Sequence, residues 1–290
     1  MTQPSALRQS SSPHDHAHDH GAHHHDEAGL ADLLDLDAEL LAPLLDEVSE
    51  WAAQHAPETV RTIVDVGAGT GTASLALAQR FARAEVVAVD RSAMMLHRLA
   101  EAATARGLED RLRAVQCDLD AGWPPVLAAD IAWASSSLHE IADPDRVLRD
   151  IYAALSPGGL LVVVEMDGLP RFLPDDLGLG RPGLEPRCHE ALAREGWNQH
   201  PDWRPHLKSA SFDVLTQRTF ALDAEPAPPA TGPYAHAFLR RVRAALDGQL
   251  APDDLDVLDH LVADDGPHAL LHRADLALHA RRTAWAARRP

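Results

Sequence analysis

The chain has 290 residues, 46% of them apolar, enough to bury one large or two modest cores. Its 26 basic and 44 acidic residues leave a formal charge of −18, which disfavours long-range attraction to nucleic acid or to an anionic membrane surface. No apolar run approaches about 18 residues and no charged-then-apolar leader is present, so neither a membrane span nor a secretory signal is expected. Cys117 and Cys188 are too few and too far apart for a disulfide framework or a zinc ribbon, which fits a reducing, cytoplasmic setting.

Residues 1–29 are polar, with His14, His16, His18, His20, His23, His24 and His25 interleaved with Asp15 and Asp19. Such a tail builds no core and is expected to be disordered. Its imidazoles and carboxylates could chelate zinc, nickel or copper, but nothing in the spacing selects one metal, and adventitious or buffering binding is the competing reading. Residues 30–58 carry Leu33, Leu34, Leu40, Leu41, Leu44, Leu45, Val48 and Trp51 at helical spacing, broken near Pro43. This is an amphipathic N-terminal cap, packed on a core or serving as a substrate-facing lid.

From residue 59 the pattern changes to apolar runs alternating with helices. Thr62–Val66 reads as a strand, Gly67-Ala68-Gly69-Thr70-Gly71 as a tight turn, and Thr72 to about Phe81 as a helix. A glycine turn before a helix N-terminus ordinarily favours phosphate, but Asp65 places a carboxylate beside it. The dinucleotide pattern also requires Gly or Ala where Thr72 stands. A ligand that offers a cation near Asp65 and hydroxyls farther along the sheet edge satisfies both features. Asp65, Gly67, Gly69 and Gly71 resemble motif I of the class I S-adenosylmethionine (SAM) methyltransferases.

The strand-then-acid arrangement recurs. Glu85–Val89 ends in Asp90, about 20 residues past the turn, where such sheets place the acid that meets ribose hydroxyls. Ser92 then caps a helix running toward Arg106. Leu112–Cys117 is followed by Asp118. The resemblance implies that Asp65 serves the methionine end, Asp90 the ribose and Asp118 the adenine amino group. Arg91 and Met95 flank the adenine, and Leu119, Ala134 and Ser135 complete the cofactor set.

Asp130–Ser135 gives a fourth strand whose acid stands at the opposite end, so Asp130 is expected to be structural. Ser135–Glu140 follows that strand and faces the reactive centre, and Asp143-Pro144 opens the next helix as cap and first residue. Family members often carry Leu-His-His in this loop; here it reads Leu138-His139-Glu140. His139 is the first candidate for a general base, because an imidazole titrates near neutrality, and Glu140 the second. Pro157-Gly158-Gly159, an entry also common in the family, turns into strand five, Leu160–Val164, ending at Glu165.

Residues 167–290 begin with an irregular stretch rich in Pro and Gly, expected to cover the site, with Phe172, Trp197, His200 and Trp203 as its flat surfaces and Glu165, Trp197 and Trp203 as candidate substrate contacts. Strand six over Phe212–Phe220, amphipathic helices over Tyr234–Leu246 and Asp253–Val262, and a last strand over Leu278–Arg288 follow. The expected fold is therefore α/β: a doubly wound, mostly parallel seven-stranded sheet with helices on both faces, an N-terminal helical cap, and a loop and helix insert after strand five. The domain reading is 1–29 tail, 30–58 cap, 59–166 SAM-binding core and 167–290 cover plus closing strands.

The resemblance implies methyl transfer from SAM to an oxygen or nitrogen of a small-molecule acceptor, a reaction of secondary metabolism. Most of the acceleration would come from holding nucleophile, carbon and sulfur in line. No carboxylate pair with metal-ligand spacing is visible, so transfer is expected to be metal-independent. A homodimer through the C-terminal helices is a further expectation. The alternatives are an NAD(P)-dependent oxidoreductase and a metal-handling or binding protein on the same scaffold.

Overall fold

The computed structural model describes residues 20–197 and 202–290, with the backbone course alone for residues 20–26. The cap consists of α1 (His20–Leu40) and α2 (Ala42–Ala53), with Pro43 in the first turn of α2, where its missing N–H costs nothing. Helix α1 begins ahead of the Leu30 boundary drawn from composition, while His14, His16 and His18 lie outside the described residues.

Five strands and three α-helices follow. They comprise β1 (Thr62–Val66), α3 (Thr72–Arg80), β2 (Glu85–Asp90), α4 (Ala93–Ala105), β3 (Leu112–Gln116), β4 (Ala129–Ser135), α5 (Pro144–Ala154) and β5 (Leu155–Met166). Apolar runs in β1, β2, β4 and β5 are buried on both faces, as parallel strands under two helical layers must be. Beyond them lie α6 (Leu184–Arg194), α7 (Trp203–Ser209), β6 (Asp213–Ala224), α8 (Thr231–Ala245), α9 (Pro252–Leu261) and β7 (Leu278–Arg288).

The strands form one seven-stranded sheet in the order β3-β2-β1-β4-β5-β7-β6. Pairs from β3 to β5 are parallel, and β7 runs antiparallel to both β5 and β6. Helices α2, α3 and α4 bury Val48, Trp51, Leu77 and Leu99 against one face, over Ile63, Val86, Ile131 and Val162. On the other face α5 and α7 bury Leu148, Ile151 and Leu207 over Val64, Val87, Leu161 and Val163. The chain winds outward from β1 to β3 and then crosses back to place β4 on the other side of β1, so the carboxyl ends of β1 and β4 flank the switch in winding where such sheets take ligands.

A third cluster sits beyond the sheet. The far ends of β6 and β7 run past their neighbours and carry Leu278 and Ala280 into an annex of α1, α6, α8 and α9, with Leu192, Tyr234, Leu239 and Leu258 at its centre. Helices α6 and α7 occupy the stretch that composition marks as irregular. Pro186 and Pro205 fall in their first turns, where proline is tolerated rather than disruptive. Strand β5 starts at Leu155, and the expected turn at Ser156–Gly159 bulges out of the ladder between the Ala129–Leu155 and Ile131–Leu160 pairs, with Gly158 at a φ of +78°. Asp130 is structural: its Oδ2 accepts from the Arg61 and Thr62 N–H groups at 2.7 and 3.0 Å, pinning the start of β1.

Candidate active site

The turn after β1 needs glycine for two reasons. Gly67 and Gly71 adopt φ of +72° and +90°, and a Cβ at either would lie 2.5 Å from the Ser137 Cβ or 2.4 Å from the Leu99 Cγ. Ser137 is brought there because its hydroxyl donates to the Val66 carbonyl at 2.6 Å, fastening the loop after β4 onto the turn. The turn is also tied to β2: the Gly67 and Ala68 N–H groups both donate to Val89 O at 2.9 Å, and Gly69 N–H to Asp90 Oδ2 at 2.8 Å. Its amides are thus committed to β2 instead of forming an open anion nest.

The structure brings Asp65, Asp90 and Asp118 to the carboxyl ends of three adjacent strands. Asp65 is 1% exposed and accepts the Ser74 hydroxyl at 2.6 Å, which joins β1 to the first turn of α3. Burial pushes its carboxyl up from 3.8 to about 7; the Ser74 bond works against this and the Asp90 charge adds to it. Asp90 uses Oδ2 for Gly69 and Oδ1 for the Ser92 N–H at 2.8 Å, with lone pairs remaining for hydroxyl donors. Asp118 is exposed beyond β3, its Oδ1 taking the Asp120 N–H at 3.0 Å. Arg91 is exposed at the same edge, Met95 and Leu119 are buried beside it, and Ala134 is buried in β4.

A cleft of about 180 Å³ opens beside Asp65, between the glycine turn and the cap. Leu34, Asp37 and Ala38 of α1 line it on the cap side, and Ser135, Ser136, Val164 and Arg282 line it on the sheet side. The cap side is tethered: Arg98 of α4 pairs with Asp32 and Asp35 of α1 at 2.7 and 2.9 Å. A wider groove of about 1410 Å³ runs outside the turn between the cap and α3–α4, and none of the strand-end acids lines it.

His139 sits on a short 3-10 turn, Leu138–Glu140, anchored by the buried Leu138. Its Nδ1 lies 2.9 Å from Glu165 Oε2 and its Nε2 3.3 Å from Glu140 Oε1. Burial lowers the imidazole pKa, but hydrogen bonds and charge from Glu140 and Glu165 outweigh it and raise it from 6.5 to about 9. His139 is therefore mainly imidazolium at neutral pH, which departs from the expectation of a base titrating near 7. Glu165 is 1% exposed, so it orients His139 instead of presenting an open surface to substrate.

Among the described residues the expected aromatic cover is not assembled over the cleft. Trp203 is 0% exposed and packs under the sheet with Leu207, Phe212 and Trp285, which removes it from the candidate substrate contacts. Phe172 stacks edge-on against Tyr234 and Phe238 inside the annex. Trp197 follows α6, exposed and not among the residues that line the cleft, and His200 lies outside the described residues. Asp37 and Arg282 were not among the expected site residues. Each carried a signal, a charge on an otherwise apolar stripe: Asp37 between Leu33 and Leu41, and Arg282 between Ala280 and Ala284.

The methyltransferase-domain family model matches residues 64–161, the stretch from β1 into β5. A trans-aconitate 2-methyltransferase of Methylobacterium radiotolerans is 33% identical over 226 residues, covering 70% of this chain and 84% of that protein. The chain belongs to the class I SAM-dependent methyltransferases. A trans-aconitate 2-methyltransferase of an Acidovorax strain is 33% identical over 126 residues, 43% of each chain, so the match spans less than half the length of that relative. Among solved structures, a Galdieria sulphuraria protein provisionally named a sarcosine dimethylglycine methyltransferase shares the methyltransferase fold, at a TM-score of 0.53 and 14% identity, covering 87% of each chain. Methyltransferases of this class use SAM, and a turn with no room for Cβ atoms, a buried acid and a strand-end acid with spare lone pairs fit its amino-acid and ribose parts.

Proposed function

We propose that this methyltransferase transfers a methyl group from SAM to an oxygen or nitrogen of a small-molecule acceptor, and that a carboxylate oxygen is the acceptor its geometry favours. The observation that carries the choice is the seat of His139 between two carboxylates, which favours its charged form. An imidazolium is a poor general base but a strong donor to an anionic oxygen. A carboxylate already occupies its Nε2, that of Glu140, whose side chain is 70% exposed. An acceptor carboxylate takes the place of Glu140, while the buried Glu165 keeps the ring oriented. The names of the relatives from Methylobacterium and Acidovorax refer to trans-aconitate, a carboxylic acid, and support the same reading.

In this mechanism Asp90 accepts the ribose hydroxyls, Asp118 with Arg91, Met95 and Leu119 bounds the base, and Gly67, Gly69, Gly71, Ala134 and Ser135 line the amino-acid end. When bound, SAM supplies a methyl group on a positively charged sulfur. Asp65 faces that end, and a cation there returns its carboxyl to the charged form. His139 donates to the acceptor, and the cap excludes water above the cleft.

The deciding experiment combines a panel of carboxylic acids, phenols and amines with SAM and reads methylated products by mass spectrometry. The carboxylate reading expects methyl esters, and a rate that falls as pH rises through about 9, when His139 loses its proton. A rate that climbs to that pH with phenols or amines points to His139 as a base. Among the described residues no helix is long and apolar enough to cross a membrane. A cytoplasmic setting, a homodimer, and metal capture by the histidine tail are further parts of the proposal. Light scattering tests the dimer, and deletion of residues 1–28 tests whether the tail matters to transfer.

A further inference from the structure

Arg282 lies opposite Met166 at the carboxyl end of β5, on the face of β7 that buries Ala284 and Ala286. Its side chain is only 10% exposed, and it lines the cleft beside the glycine turn. A guanidinium offers five N–H donors in a planar fork suited to a carboxylate. Among the described residues two acceptors meet it: Arg281 O at 3.1 Å and Asp37 Oδ1 at 3.4 Å. The second contact is long for a charge-assisted pair, which normally closes to about 2.7–2.9 Å.

Asp37 has a firmer partner. The same Oδ1 accepts the Tyr234 hydroxyl at 2.6 Å, and Tyr234 stays protonated because burial, then the Asp37 charge, pushes its pKa well above the ordinary value. Asp37 is thus fixed to α8 without help from Arg282, whose fork rests against it loosely. A desolvated cation in a ligand cleft with spare donors and one loose acid partner is arranged to exchange that partner for a better one.

We propose that Arg282 is a carboxylate-binding residue of the cleft, held in place by Asp37 until a ligand carboxylate engages its fork. The inference rests on the methyltransferase reading, under which that carboxylate comes from one of two sources: the methionyl tail of the cofactor or the acceptor.

Titration calorimetry on the full chain separates the sources. The probes are S-adenosylhomocysteine, 5′-methylthioadenosine, which keeps the nucleoside and thioether but lacks the amino-acid tail, and trans-aconitate added to protein saturated with S-adenosylhomocysteine. If the cofactor is the source, Arg282→Gln weakens S-adenosylhomocysteine about 10- to 100-fold and leaves 5′-methylthioadenosine unchanged. If the acceptor is the source, both nucleosides bind Arg282→Gln as they bind wild type, and trans-aconitate weakens by a similar factor. Arg282→Lys keeps the charge but not the fork; it folds where the Gln variant does not, and shows the same pattern at smaller amplitude. Wild type binding both nucleosides, with neither S-adenosylhomocysteine nor trans-aconitate weakened in either variant, overturns the assignment alone. Wild type binding neither nucleoside overturns the methyltransferase reading and this inference with it.

Discussion

The carboxyl edge of β1, β2 and β4 and the annex around α8 are held together in different ways. At the edge, positions are fixed by backbone over short reaches: three glycines at left-handed φ, turn amides bonded to Val89, and Asp90 accepting Gly69 and Ser92 N–H groups. In the annex, order comes from side chains distant in sequence: Asp254 with Arg181 and Arg187, Tyr234 with Asp37, and Glu185 accepting the Phe172 N–H at 2.9 Å. Gly67 and Gly71 of the edge have no room for a side chain, because a Cβ there meets Ser137 or Leu99. The annex buries an apolar cluster of its own and is cross-linked by a few polar and ionic contacts. Ligand binding and folding stability are therefore separable by substitution.

The largest effect is expected at Gly71. Gly71→Ala forces a left-handed alanine against Leu99 and costs about 2–5 kcal/mol from strain and overpacking together. Thermal melting detects the loss, and calorimetry with S-adenosylhomocysteine shows binding lost with it. An alanine variant with wild-type melting and binding breaks the claim that the turn has no room.

Asp254→Ala acts on the other region. The carboxylate is 4% exposed and two arginines converge on it, but Arg181 is itself 62% exposed, so screening reduces the penalty to about 2–3 kcal/mol. Melting temperature falls while affinity for S-adenosylhomocysteine is unchanged. A matching drop in affinity would show that annex and edge are one unit.

Asp90→Ala reverses that pattern. Both carboxylate oxygens hold backbone of the turn and of the α4 cap, and the ribose loses its acceptor, so the affinity drop is about 10- to 100-fold. The stability cost is smaller, about 1 kcal/mol, as for loss of a helix cap.

Over one pH unit near neutrality, the smallest effect is a pH dependence at Asp65. Its folded pKa of about 7 exceeds the ordinary 3.8, so the folded chain binds the extra proton, and this group's contribution to stability declines as pH rises from 3.8 through 7. Ligand binding runs the opposite way. A cation beside Asp65 favours the carboxylate, so affinity climbs with pH up to about 7, by at most about ten-fold per pH unit, and binding releases a proton. Calorimetry in buffers of different ionisation enthalpy measures that release; none is expected in Asp65→Asn.

Much of the first region could be read directly from the chain because its information is local. Val64–Thr72 contains strand, turn and helix start in one stretch, β1 and β7 have the boundaries their apolar runs indicate, and the strand-end acids follow those runs. The second region was opaque for a physical reason. Asp37 and Arg282 meet across 245 residues of sequence, and no periodicity encodes such a pair. Trp203 looked like a cover residue because it follows the Pro- and Gly-rich stretch; it instead opens α7, with Pro205 in the first turn, and its indole packs in the core. His139 was singled out by position, but its charge state depends on Glu140 beside it and on Glu165 across 26 residues.

The most direct test is titration of S-adenosylhomocysteine into wild type, Asp90→Ala and Asp254→Ala at one pH near 8. Binding at about micromolar affinity to wild type and Asp254→Ala, with Asp90→Ala weakened about 10- to 100-fold, is the predicted result. Absence of binding to wild type, or undiminished binding to Asp90→Ala, would contradict a nucleoside held on the carboxyl edge of this sheet.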